Sequence, residues 1–294
     1  MPHLSSLVRR AGAAPRAPAD GSSPAAPTPL GQVGPWELLR CIHRGRCSDV
    51  CLARPAGAAR RCADFVVKVL RPEMAGDRVA RRMMFNEAAV GRVVCHSHLA
   101  PVLEVQLRRQ PSYLVLPRIE GVTLSVLARE GQCCSRRALR VVRQVAEALA
   151  ALHDRQWRHG DVKPDNILVS PGGHATLIDL SMAAPASDPL NGAGGTPQYA
   201  APESSSGWLS AAGDIYSLGV ALCELLGGGG HLDQPREPLT PPALDWLRSA
   251  PPGVKPLLRR MLAVCPDDRP SAAEVVDELT PLEVAALAAA VEQR

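Results

Sequence analysis

Around residue 117 the apolar residues of this chain change their period, and that change limits the possible folds more than any other feature. Before it, apolar runs are short. Residues 36–42 and 50–53 flank a polar loop at 43–49, which predicts a hairpin, and the β-branched run Phe65–Leu70 predicts a third strand. Residues 102–107 and 113–116 predict two more. One helix interrupts them over 77–94, where Val79, Met83, Glu87 and Val90 recur near helical spacing. After residue 117 the pattern is mostly helical. Ser135–His153 places Ala138, Val141, Val145, Leu149 and Leu152 on one stripe, with Ser135 as the expected N-cap. Further helices are expected at Ala211–Leu226, which stops at a run of glycines, and at 254–264 and 271–279. The reading is α+β: about five strands and one helix, then a larger helical part, with a cleft between them.

Residues 1–34 are rich in Ala, Pro, Ser and Gly and hold few large apolar side chains, so they are read as a disordered tail. The remainder divides at 35–117 and 118–281, with a helical extension at 282–294. A net charge of +4, with basic residues dispersed rather than in a block, argues against nucleic acid as the main partner. Nine cysteines without a C-x-x-C pair favour free thiols, and no apolar run reaches the length of a membrane span. The expected location is cytoplasmic.

The 33 basic residues include only three lysines, Lys68, Lys163 and Lys255, and asparagine occurs only at 86, 166 and 191. Where arginine has replaced lysine almost everywhere, a surviving lysine marks a place for a compact point charge. Lys163 and Asn166 both fall in the segment 159–169, His-Gly-Asp-Val-Lys-Pro-Asp-Asn-Ile-Leu-Val. Its carboxylate, ammonium and carboxamide suit phosphoryl transfer. Asp161 would orient a hydroxyl and accept its proton, Lys163 would offset charge on the moving group, and Asn166 would hold a metal. Residues 178–181, with Asp179 lying 13 residues after Asn166, resemble the D-F-G triplet of protein kinases, which implies Asp179 as a second metal ligand. Phe65–Leu70, with Lys68 between apolar neighbours, resembles the V-A-I-K strand of protein kinases, which implies that Lys68 meets phosphates and pairs with a helical carboxylate, Glu87.

In this order the segments resemble those of the eukaryotic-type protein kinases, most closely the bacterial Ser/Thr kinases, over roughly residues 36–280. The segments at 195–203, 214–219 and 265–270 extend the likeness beyond the chemistry. The resemblance implies a bilobal fold, with a five-stranded antiparallel sheet and one helix in the smaller lobe and a helical larger lobe. It implies ATP with Mg²⁺ or Mn²⁺, and a protein Ser or Thr hydroxyl as acceptor. Gly45, Val50, Leu116 and Ile119 would join Lys68 and Glu87 around the nucleotide, with Leu116 as gatekeeper and 117–120 as hinge. His159, Thr196, Glu203, Asp214 and Arg269 would be supports, Glu203 and Arg269 as a buried ion pair and Asp214 bracing the catalytic loop.

Three positions depart from the family pattern. In the phosphate-covering loop, G-x-G-x-x-G becomes His43, Gly45 and Ser48, which weakens the expectation of close backbone approach to phosphates. Cys47, at its tip, is expected to be an exposed thiol. Gly160 stands where most family members carry arginine, so phosphorylation near Ser187 or Thr196 is not expected to control activity. Ser181 replaces the glycine that usually follows Asp179 by two. Two other readings stand beside an active protein kinase: a pseudokinase acting as a binding module, and a small-molecule phosphotransferase of the aminoglycoside or choline type.

Overall fold

The computed structural model describes residues 30–58, 63–186, 195–227 and 250–292. The first part is a six-stranded antiparallel sheet: β1 (Gly31–Val33), β2 (Trp36–Arg44), β3 (Ser48–Pro55), β4 (Phe65–Leu70), β5 (Glu104–Gln106) and β6 (Tyr113–Pro117), in spatial order β1-β2-β3-β4-β6-β5. A single helix, α1 (Arg78–Val93), packs against it. Alternation along β4 decides what each face presents. Val67 packs with Val33, Trp36, Ala53 and Val115 on one face, while Leu70 packs with Leu114 and with Ala80, Met84 and Ala88 of α1 on the other. Lys68 shares the parity of Leu70 and therefore faces α1. Glu87 lies seven residues after Ala80, on the helix face turned to the sheet.

The second part begins with β7 (Val122–Thr123), α2 (Leu124–Arg129) and α3 (Ser135–His153). Ten residues of α3 are buried, and its stripe forms the centre of the largest hydrophobic core. After it come β8 (Trp157–Arg158), β9 (Ile167–Val169), β10 (Ala175–Leu177) and β11 (Ala184–Pro185). β7, β9 and β10 form one small sheet and β8 with β11 another, and together they hold the loops between them in place. The helices α4 (Ala211–Leu226), α5 (Val254–Met261) and α6 (Ala272–Glu292) complete the core. The two parts are fastened at their junction, where Ala100 N–H bonds the Leu177 carbonyl at 2.9 Å and Leu177 N–H bonds the His98 carbonyl at 2.8 Å. The end of α1 is thereby tied to the strand that leads into Asp179.

The α+β, two-part architecture is as expected, with four corrections of detail. β1 adds a sixth strand, so the chain is already part of the sheet at Gly31–Val33, inside the stretch read as tail. Three residues in a Pro- and Gly-rich segment show no alternation, and only pairing with β2 makes them a strand. The N-cap of α3 is Cys134, in extended conformation, and Ser135 is already helical. α6 runs on through Pro281 without a break, so 282–292 is no separate extension; Ser271 and Glu274 start it with a reciprocal capping box. Cys47 is half-buried, packed against the Leu70–Met84 cluster, because the hairpin tip curls onto the sheet. Residues 1–29 of the expected tail and Ser187 lie outside the described residues.

Candidate active site

Lys68 joins the two parts of the molecule. Its ammonium is 2.7 Å from Glu87 Oε2 and 2.7 Å from Asp179 Oδ1, and its side chain is nearly buried. Burial works against the charge on Lys68, but the two carboxylates outweigh it and hold the group above the usual lysine range. Burial also pushes Asp179 upward, yet Lys68 and the Ser181 side chain hold it well below the usual carboxylate range. Glu87 is the opposite case. Its complete burial raises it, offset only in part by Lys68 and by the Leu180 N–H. Asp179 adopts the left-handed conformation at φ 64°, which lets the chain turn sharply into the 3₁₀ segment Leu180–Met182.

On the opposite wall Asp161 is held by both oxygens. Oδ1 accepts from the Thr196 N–H at 2.8 Å and from its hydroxyl at 2.9 Å. Oδ2 accepts from Lys163 Nζ at 2.7 Å and from Asn166 Nδ2 at 3.0 Å. Lys163 Nζ also donates to Thr196 Oγ1 at 2.6 Å. Thr196, expected only as a support, therefore touches both Asp161 and Lys163. Both hydrogen bonds of Asn166 to Asp161 use Nδ2, which leaves its oxygen for another ligand.

Below this layer Asp214, buried at the start of α4, braces the loop. It accepts from the His159 and Gly160 N–H groups at 2.8 Å each, and its Oδ2 pairs with His153 Nε2 at 2.9 Å. Burial works to raise Asp214, but His153, His159 and the Gly160 N–H keep it below the carboxylate range. His159 is fully buried, with its Nδ1 against the Asp161 N–H and its Nε2 against the Ile178 carbonyl. Gly160 has φ +80°, and a Cβ there would lie 2.7 Å from the Met182 carbonyl oxygen. The missing arginine thus has a local cause, since no side chain fits this turn unless the neighbouring backbone shifts.

Arg269 and Glu203 form a bidentate pair at 2.6 and 2.7 Å. The remaining Arg269 donors meet the carbonyls of Ala212, Ala263 and Val264, and the guanidinium lies 5.0 Å from the Tyr216 ring centroid. The residues expected around a nucleotide are more lightly held. Val50 pairs across to Lys68, while Leu116 and Ile119 are half-buried at the cleft side of β6 and just beyond it. Gly45 keeps a turn by donating to the Ser48 carbonyl at 2.9 Å, where a Cβ would crowd that same oxygen. His43 is exposed and Ser48 half-buried.

Two contributors escaped the sequence reading. Arg71 donates from Nη1 to the Gly45 carbonyl at 3.3 Å and from its backbone N–H to the Cys47 carbonyl at 3.0 Å, which pins the loop between β2 and β3. His153 forms the third bond of Asp214, and nothing in its helical surroundings signals that role. An arginine immediately after the Lys68 strand was a weak available signal for the first.

The protein kinase domain family model matches residues 36–279. Among curated proteins, the chain is 34% identical over 212 residues to the serine/threonine-protein kinase PknD of Mycobacterium tuberculosis, covering 70% of this chain and 32% of that protein. It is 31% identical over 258 residues to PknE of the same species (81% and 44%) and 29% identical over 256 residues to PrkC of Bacillus subtilis (82% and 39%). The chain thus spans less than half the length of each of these relatives. With most of its length matched in one order, and with the same order folded into one cleft, the chain belongs to the protein kinase domain family.

Proposed function

We propose that this protein is an active serine/threonine protein kinase that transfers the γ-phosphate of ATP to a protein hydroxyl. The observation that carries the reading is the Lys68 ammonium held at 2.7 Å from both Glu87 and Asp179, an assembled arrangement across the cleft. A pure binding module has no need of it.

The oxygen donors fit a hard cation. Asp179 uses Oδ1 for its bonds within the protein, and Asn166 uses only its nitrogen, so one carboxylate oxygen and one amide oxygen remain. Mg²⁺ is typically bound in this way, by one or two protein oxygens together with substrate phosphates. When bound, the ion offsets phosphate charge and shapes the transferring group. Lys68 binds the α- and β-phosphates from the sheet side, with Glu87 fixing its position. Gly45 and Val50 cover the nucleotide, and Leu116 and Ile119 meet the base. Asp161 aims the acceptor hydroxyl and takes its proton, which requires that hydroxyl to replace the Thr196 contact on Oδ1. Lys163 stabilises charge as it develops, and His159 and Asp214 keep the loop from moving. Glu203, Arg269 and Thr196 hold the groove in which a peptide lies.

The eight described cysteines form no disulfide, which suits a reducing compartment, and we place the domain in the cytoplasm. Among the described residues no helix is long and apolar enough to cross a membrane. The test is phosphoryl transfer from labelled ATP with Mg²⁺ or Mn²⁺ to a basic protein substrate, beside the Asp161→Ala variant. Phosphoserine or phosphothreonine formed by the parent and not by the variant supports the reading. Nucleotide-dependent thermal stabilisation without transfer transfers support to the pseudokinase reading, and transfer only to small-molecule alcohols to the phosphotransferase one.

A further inference from the structure

Three of the nine cysteines fall between residues 41 and 51, and the fold sorts them by face. Cys47 packs with Leu70, Met84 and Leu114 on the α1 side of the sheet. Cys51 pairs with Val67 across β3 and β4 and has the parity of Ala53, so its side chain lies on the other face, turned away from α1. In β2 its direct partner across the antiparallel ladder is Cys41, and directly opposed residues point to one face. Cys51 is 5% exposed and Cys41 is half-buried. Among the described residues these are the only cysteines that lie in strands.

This placement suits a covalent bond. Opposed residues of antiparallel strands have Cα atoms about 4.5–5.5 Å apart, inside the range of about 4.4–6.8 Å that a disulfide spans. The two side chains already act on each other: the Cys51 thiol is pushed up to about 12, first by burial, then by Cys41 and Asp49, against a smaller opposing effect of Arg44. The Cys41 thiol donates to the His43 carbonyl at 3.3 Å, a weak bond that is easily given up. The ladder around the pair is irregular. Register shifts fall between Leu38 and Arg40 and between Cys41 and His43, so pairing is interrupted on both sides of Cys41. A link between the two sulfurs would fix a register that the backbone leaves loose.

We propose that Cys41 and Cys51 form a redox-sensitive dithiol, which hydrogen peroxide converts to a cross-strand disulfide that stiffens the β2–β3 hairpin. Cys41 is the more accessible thiol and reacts first. Its sulfur attacks one peroxide oxygen, the O–O bond breaks, and water leaves as Cys41 becomes a sulfenic acid. Cys51 Sγ then attacks Cys41 Sγ, the S–O bond breaks, and the hydroxyl departs with the Cys51 proton as a second water. Each sulfur gives up one electron, and the peroxide is reduced to two waters. A dithiol reductant reverses the step by exchange. The bond would lie on the face opposite Lys68, so it leaves the cleft open and acts through the stiffness of the hairpin that carries Gly45 and Val50. Its consequence for nucleotide cover rests on the proposed function; the bond itself does not.

The experiment exposes the full chain to hydrogen peroxide without nucleotide, alkylates the remaining thiols and maps the peptides by mass spectrometry. Cleavage after arginine and before Asp49 places Cys41, Cys47 and Cys51 on separate peptides. We expect a linked Cys41–Cys51 pair that dithiothreitol removes, that Cys47→Ser leaves in place, and that both Cys41→Ser and Cys51→Ala abolish. Cys41→Ser changes a half-buried side chain, so the result does not hang on whether the variant at buried Cys51 folds. In the oxidised parent, amide hydrogen exchange over residues 41–51 should slow by about threefold or more, and in Cys41→Ser peroxide should leave it unchanged. Three results would overturn the proposal: no Cys41–Cys51 link at peroxide levels that oxidise the exposed Cys95, a link from Cys41 to Cys47 or to another chain in its place, or a bond that leaves hairpin exchange as it was. Phosphoryl transfer enters none of these measurements, so failure here and failure of the proposed function are told apart.

Discussion

The two walls of the cleft are built to different standards. On the helical side, Asp161, Asp214 and Arg269 each make three or more hydrogen bonds, and Asp214 and Arg269 are almost fully buried. On the sheet side the phosphate loop keeps one internal turn bond and a clasp from Arg71, whose side chain is 38% exposed. Charged hydrogen bonds out of water cannot be exchanged for solvent, whereas a surface loop can make the exchange at small cost. The helical wall is therefore rigidly held, while the loop proposed to cover the nucleotide depends on a few weak contacts.

That contrast makes graded predictions. The largest effect should follow Asp161→Ala, which removes the group proposed to orient the hydroxyl: kcat should fall by about 10³-fold or more. A drop of less than tenfold would mean that Asp161 is not the group that aims the hydroxyl. Arg269→Ala should cost about 3–5 kcal/mol in denaturant unfolding, since it leaves Glu203 without its bidentate partner in a mostly buried site. A cost below about 1 kcal/mol would remove the distinction between the two walls.

Acid should act through the same wall. The folded-state values of Asp214 and Asp179 are depressed, so their stabilisation is present above the unfolded carboxylate value and is lost as pH falls through the folded one. Lys68 is raised, so its contribution fades only in strong alkali, as pH rises beyond the ordinary lysine range. Glu87 runs against the carboxylate trend, because its burial favours the protonated form as acid is added. Melting temperature should therefore decline below about pH 4, and Asp214→Asn should lower stability at neutral pH by about 2–3 kcal/mol while flattening that decline.

On the sheet side the effects should be smaller and fall on KM. Restoring glycines with His43→Gly and Ser48→Gly should lower the KM for ATP by about threefold to tenfold with little change in kcat, because closer backbone approach to phosphates becomes possible. Arg71→Ala should raise it by a similar factor. If neither moves KM, the loop does not cover the phosphates. Phosphatase treatment should have the smallest effect, less than about twofold in initial rate, because Gly160 offers no guanidinium to an activation-segment phosphate.

Much of the site was legible because its chemistry is local. Asp161, Lys163 and Asn166 lie within six residues, so one loop brings them together, and the scarcity of lysine and asparagine set them apart. The pairing of Lys68 with Glu87 was legible through the resemblance of Phe65–Leu70 to the kinase lysine strand, and the alternation of β4 and the helical repeat of α1 direct both side chains to one interface. What escaped depended on contacts between distant segments. β1 exists only by pairing with β2, Arg71 matters only because the loop curls over it, and His153 reaches Asp214 only because α3 and α4 cross there. Thr196 was expected as scaffolding, yet its hydroxyl lies directly on Asp161 and Lys163.

By itself, then, the amino-acid sequence determined the two-part architecture, the family and the residues proposed to carry the chemistry. Periodicity and side-chain type act over a few residues and survive any rearrangement of distant segments. Only the tertiary structure decided that Lys68 would meet Asp179 as well as Glu87, and that no side chain fits at position 160. Each of these rests on where backbones separated by tens of residues come to lie, which is set by the packing of whole elements and not by any local pattern.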